Sequence, residues 1–285
     1  MESIRWITPL GNLNPPDHST PTDHIYFYFA NPDAGETALA RRTTFLAPAD
    51  GTVLTVFSGV GSDSKLFVRA TSTIRFYVDH VILDPGIGTG ATLTAGQRIG
   101  TTGGAFGIDL GVVNPAVTLT GFVNPSRYGE DTLHTDAPLT FYEEPLRGQL
   151  YAKVQRIGAD LDGKIDFDVA GRLSGNWFTE QGASALSFVY DTYDPSQVRI
   201  ASAGAIGTPT VYAIAATDPL PRDVSPATGR VRYTLTRSRT GLPAPGTPVG
   251  QMLVQMLDPQ RIQAEIVLSL TPAADFSANA RVLIR

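Results

Sequence analysis

The sequence predicts an all-β protein made of two successive β domains. Three observations carry that reading. Short apolar runs of strand length recur along the whole chain. Glycine and proline, 28 and 21 of the 285 residues, punctuate them. No strong amphipathic helix interrupts them. The chain is 42% hydrophobic and only 17% charged, the balance of a packed protein and not of a disordered chain or a solvated helical rod. Its length gives room for one large or two ordinary domains.

Residues 1–24 are rich in Pro, Asn, Asp and Thr and read as an irregular start. Ile25–Ala30 (IYFYFA) is a continuous apolar and aromatic strand, and residues 31–42 form a surface loop. Residues 43–59 give a strand, a Pro48-Ala49-Asp50-Gly51 turn and a second strand. Two more strands fill Lys65–Leu83. Strict alternation there puts Phe76, Val78 and His80 on one face and Tyr77, Asp79 and Val81 on the other. Short strands follow around Leu93, Ile99 and Ile108. Residues 114–145 hold several prolines and read as a connection. Beyond Leu146, residues 149–157 suit a strand or a short helix. Ile165, Phe167 and Val169 then alternate with Lys164, Asp166 and Asp168. About seven closely spaced strands predict a C-terminal antiparallel β-barrel or sandwich. Pro259 breaks any helical reading of residues 252–268. The expected domains are therefore residues 1–113 and 146–285, joined by 114–145.

Composition excludes several functions. A net charge of −5 argues against a nucleic-acid partner or an anionic membrane surface. With no cysteine there is no disulfide, thiolate zinc site, iron–sulfur cluster or cysteine nucleophile. No apolar run reaches membrane-span length, and the start shows no basic-then-apolar signal peptide. The glycine-rich stretches lack the lysine of a phosphate loop, and there is no Gly-x-Ser-x-Gly elbow. Asp160, Asp162 and Gly163 echo a calcium loop but lack its third acid and closing Glu, so they read as a turn. His134 reads as an exposed loop residue, with a far-side ligand as the other option. Trp177 and Phe178 read as core, with a sugar-stacking pair as the alternative. Tyr26, Tyr28 and Tyr77 are strand aromatics able to fill a core or line a groove.

The stretch 45–112 carries the most information. Ala47-Pro48-Ala49-Asp50-Gly51-Thr52-Val53 leaves one turn, and Ala95-Gly96-Gln97 forms a second, which suggests a barrel built from a duplicated motif. With Tyr77-Val78-Asp79-His80-Val81, Gly96-Gln97-Arg98-Ile99-Gly100-Thr101-Thr102-Gly103 and Asp109-Leu110-Gly111, this phrasing resembles the lysostaphin/LytM-type zinc endopeptidases. These cut peptidoglycan cross-bridges. The resemblance runs from near His18 to Val113. It implies a duplicated-hybrid-motif barrel, an extracytoplasmic place in the cell envelope, and peptidoglycan or another envelope glycan or peptide as partner. In that family a His with an Asp four positions later, and the second His of a His-x-His, hold zinc. The first His of the pair and the His of the second block assist the water. Zinc with an open position brings its bound water to a pKa of about 7.

The chain departs from this pattern where the chemistry lies. Asp109 stands in the place of a catalytic His and Gly111 in that of a ligand. His18 and Asp23 are one residue too far apart, His24 follows directly, and the second block is shifted by one residue. The sequence therefore predicts a peptidase-like envelope protein that has lost catalysis and keeps a binding or structural role. The alternative is a metal-dependent hydrolase with a rearranged zinc site. Its metal ligands would come from His18, His24, His80 and Asp109, with His80 and Asp109 as the catalytic pair.

Overall fold

The structure, a computed structural model of the chain, describes residues 2–59, 61, 63–238 and 246–285. It is nearly all β and packs as two units, neither contiguous in sequence. The first comprises Met1–Leu10, Asp23–Thr118 and Glu130–Asp162; the second comprises Gly11–Thr22, Leu119–Gly129 and Gly163–Arg285.

The first unit is a ten-stranded sheet. Its strands are β1 (Trp6–Thr8), β2 (Ile25–Tyr28), β3 (Thr44–Leu46), β4 (Gly51–Ser58), β5 (Ser64–Arg69), β6 (Arg75–Leu83), β7 (Thr92–Leu93), β8 (Arg98–Thr102), β9 (Gly107–Val113) and β10 (Thr135–Asp136). The order β1-β2-β9-β6-β5-β4-β7 runs across it, with β10 on β9, β8 on β6 and β3 on β8. The two turns singled out in the sequence meet each other. The Ala47 N–H donates to the Gln97 carbonyl at 2.8 Å, and the Gly96 N–H donates to the Ala47 carbonyl at 2.9 Å. Asp50 accepts the Ala95 N–H at 2.7 Å. All seven residues of β9 are buried, which is why GIDLGVV lacks the polar alternation of a half-exposed strand. Two short helices complete the unit, α1 (Glu130–Leu133) and α2 (Leu146–Tyr151). Of the strand-or-helix stretch 149–157, the second takes residues 149–151 as helix, while Val154 makes a β-bridge with Ile7. Just beyond it the Ile7 N–H donates to the Lys153 carbonyl, at 2.9 Å.

The ladders of this sheet shift register at several points, and the shift between β5 and β6 bears on function. Leu66 of β5 pairs with Val78 and Ser64 with Val81, so Asp79 and His80 both face Lys65. This is a β-bulge. His80 carries it at φ +66°, the one non-glycine positive φ among the described residues. At the same point β6 changes partner, pairing with β9 through Asp79 and with β8 from Val81.

The second unit is a closed antiparallel barrel of eight strands in chain order. These are β11 (Gly175–Phe178), β12 (Ser184–Tyr190), β13 (Val198–Ser202), β14 (Thr210–Ile214), β15 (Arg230–Ser238), β16 (Pro248–Asp258), β17 (Arg261–Val267) and β18 (Arg281–Ile284). Of the expected barrel or sandwich, it is the barrel. Pro259 lies in the turn between β16 and β17. Every second residue points inward. Val231, Tyr233 and Leu235 of β15 join Met252, Val254 and Met256 of β16 in one core with Phe188 and Tyr212. Trp177 and Phe178 are buried, so they form core and no sugar platform. The Trp177 ring lies under the Arg285 guanidinium at 4.1 Å. Outside the barrel wall, Leu13 from the early segment packs on Val189, Ala201 and Val211. Ser187 Oγ there donates to the Ser19 carbonyl at 2.7 Å.

Candidate functional site

In the first unit the ladders align polar residues in two rows. Asp109 on β9 stands opposite Tyr26 on β2 and Asp79 on β6. Cross-strand partners share a face, so all three project to one side. Two residues on, Gly111 stands opposite Tyr77, and the β2–β9 register carries residue 24 level with it. Gly111 is therefore a gap between His24 and Tyr77, and the Tyr77 ring fills it. A Cβ built on Gly111 would lie within the ring's contact surface and 2.5 Å from its hydroxyl oxygen. The absent side chain lets the phenol cross β9. Its hydroxyl donates to Asp23 Oδ1 at 2.6 Å and lies 3.2 Å from His24 Nδ1.

His24 is buried with protein groups at both ring nitrogens. Nδ1 is 3.0 Å from Asp23 Oδ1; Nε2 is 2.9 Å from the Tyr26 hydroxyl and 3.3 Å from Asp109 Oδ2. Thr132 Oγ1 donates to the second oxygen of Asp23 at 2.8 Å. On the other side of Asp109, the bulge presents His80. Its Nε2 lies 3.7 Å from the same Asp109 Oδ2, and its Nδ1 lies 3.5 Å from Asp63 Oδ2. Asp63 is held by the Gly104 N–H, at 3.0 Å. A side chain on Gly103 would collide with that carboxylate, so the glycine at 103 is what admits it. The result is an alternating run of carboxylate and imidazole: Asp63, His80, Asp109, His24, Asp23.

Environment separates the acids. Burial pushes Asp23 upward, but its hydrogen bond to His24, the charge of that ring and the Tyr77 and Thr132 hydroxyls outweigh it. The net result is a carboxyl well below the usual range. Burial likewise raises Tyr77, and the Asp23 charge adds to it, so the phenol stays a neutral donor. Burial raises Asp109, only partly offset by the charges of His24 and His80. Asp109 Oδ1 is buried with no hydrogen-bond partner.

The structure brings His24, His80 and Asp109 together. His18 belongs to the second unit, where it closes a turn with Asn14 through backbone bonds of 2.8 and 3.0 Å. His134 in the first unit places Nδ1 2.6 Å from the Val117 carbonyl. Asp162 accepts the Tyr151 hydroxyl at 2.5 Å, and Asp160 pairs with Arg156. Sequence reasoning passed over Asp63, Asp79, Lys65 and Thr132. Gly103 was the available signal for Asp63, because a glycine can mark a close approach.

The zinc set implied by the resemblance does not fit these residues. The resemblance puts the third ligand at Gly111; glycine offers no donor, and the Tyr77 ring occupies the space its Cβ would fill. Among the described residues one group has ligand atoms within 4.8 Å of one another, and it consists of Asp79, His80 and Asp109. The opposite face of the same strands is apolar. Phe27, Phe29, Phe45, Leu46, Tyr142 and Leu150 border a cavity of about 610 Å³ there. No helix among the described residues is long and apolar enough to cross a membrane.

No protein-family model and no curated protein matches the sequence. Solved structures do. A mutant catalytic domain of the prophage-encoded M23 protein EnpA from Enterococcus faecalis is 15% identical with a TM-score of 0.26, over 38% of this chain and 83% of that one. CbpA from L. salivarius REN is 17% identical with a TM-score of 0.27, over 37% and 67%. The solution structure of lysostaphin is 11% identical with a TM-score of 0.32, over 92% of both chains. At these scores the likenesses say nothing about chemistry, which rests on the chain's own residues.

Proposed function

We propose that the first unit is a peptidase-like module of a cell-envelope protein that binds peptidoglycan, or another envelope glycan or peptide, without cutting it. One observation carries this reading: the Tyr77 phenol fills the space at Gly111 and ties itself to Asp23 and His24. A hydrolytic metal needs three protein donors and an open position for water. Here the third donor is missing and the space beside it is taken by protein. The test is incubation of the full chain with peptidoglycan sacculi and added zinc. The protein is expected to sediment with the sacculi and to release no soluble fragments. Release of fragments would overturn the loss of catalysis, and failure to sediment would overturn the binding role.

A second reading has one observation in its favour. His24 Nε2 and His80 Nε2 both approach Asp109 Oδ2, at 3.3 and 3.7 Å. A metal-dependent hydrolase would place zinc on these three residues. It predicts fragment release that is abolished by His24→Ala.

A further inference from the structure

We propose that Asp79, His80 and Asp109 form a binding site for a divalent first-row transition-metal ion, displaced by the β6 bulge from the place where the resemblance puts zinc. Three observations converge. The bulge makes two consecutive residues, Asp79 and His80, supply ligand atoms to one point, which a regular strand with side chains alternating between faces does not do. His80 holds a left-handed backbone conformation to do so, and such conformations concentrate at functional sites. Asp109 brings a carboxylate with one buried oxygen that no protein group satisfies. A native protein rarely leaves such an atom unpaired, and a bound ion is one of the ordinary partners.

The donor chemistry narrows the ion. Two carboxylates and one imidazole form a mixed oxygen and nitrogen set. Oxygen alone suits magnesium and calcium, whereas imidazole favours zinc and its first-row neighbours. Donors around a tetrahedral ion with bonds of about 2.1 Å stand about 3.4 Å apart. The three ligand atoms, all within 4.8 Å of one another, close to that spacing by side-chain rotation. The second shell is already built. Asp79 Oδ1 accepts the His80 backbone N–H at 2.7 Å, and Asp63 stands at the far nitrogen of His80. A carboxylate there orients a ligating imidazole. His80 is 38% exposed at its side chain, so the site opens to solvent for entry. This site does not depend on the non-catalytic reading, because it needs neither Gly111 nor Tyr77.

The test is calorimetric titration of Zn²⁺, Mn²⁺ and Mg²⁺ into the full chain after chelator treatment and dialysis. One zinc per chain is expected, with Mn²⁺ weaker and Mg²⁺ weaker still. Asp79→Asn is expected to weaken zinc at least about tenfold, since even orienting partners contribute that much. His24→Gln is expected to retain zinc uptake. Asp79→Asn is the deciding variant, because Asp79 is only half-buried; its circular dichroism is expected to match that of the native chain. No uptake of zinc by the native chain would overturn the proposal. Uptake lost in His24→Gln but retained in Asp79→Asn would also overturn it, placing the ion on the rearranged set instead.

Discussion

Tyr77 and Gly111 depend on each other. A phenol needs a bare backbone to cross β9, and a bare backbone at a buried position needs something to fill it. Gly111→Ala is therefore expected to destabilise the first unit by about 1–3 kcal/mol through overpacking. In a Tyr77→Ala background most of that cost disappears, giving a coupling of about 0.5–3 kcal/mol in a denaturant double-mutant cycle. Additive costs would show that the ring does not fill the gap. Asp23 adds a pH dependence. Its folded pKa lies below the unfolded value of about 3.9, so its stabilisation is complete above that pH. It is lost as the pH falls toward the folded value. Urea midpoints taken through the acid range should fall more steeply for the native chain than for Asp23→Asn. At this scale the sequence placed Asp109 and Gly111 two residues apart on one strand, and the resemblance marked both positions for attention. It did not reveal what fills the space, because that depends on which β6 residue is level with Gly111, and register is not written in either strand alone.

At the scale of elements, the bulge in β6 is the decisive device. Strict alternation in the sequence set Asp79 and His80 on opposite faces. The structure instead puts both beside Asp109, because the extra residue is absorbed at φ +66°. A β-branched residue tolerates that conformation poorly. His80→Val is expected to cost about 1–3 kcal/mol more stability than His80→Gly, read as the difference in unfolding free energy. Equal costs would show that the left-handed turn is not retained in solution. The strand positions themselves were legible from apolar runs and glycine-bearing turns. The continuous run of β9 was harder to read, since burial on both faces erases the period.

For the whole molecule, all-β architecture and two units were legible from breaker spacing, but the membership of each unit was not. Residues 11–22 lie at the start of the chain and pack in the second unit, through Leu13 and Ser19. The first unit in turn takes 130–162, which supplies β10 on β9 and the Lys153 carbonyl to β1. Such long-range closure leaves no local sequence signal. A fragment 1–113 should accordingly be more protease-sensitive than a fragment 1–162. Equal sensitivity would mean that the later segment adds no stability. In the second unit, Arg285 is buried against Asp168 at 3.8 Å and donates to the Arg172 carbonyl at 3.0 Å. Arg285→Ala strands a buried carboxylate and is expected to cost about 3–5 kcal/mol in denaturant unfolding of that unit.

The inward side chains of the barrel have a consequence for traffic. A transmembrane barrel turns its apolar residues to lipid and keeps a polar lumen. Here Trp177, Phe188, Tyr212, Tyr233 and Met252 occupy the lumen, while Arg230, Arg232 and Arg237 sit on the outer wall. The barrel is a solid pillar. Described side chains fill its axis, so a ligand of this unit would be met on its wall or at its rims.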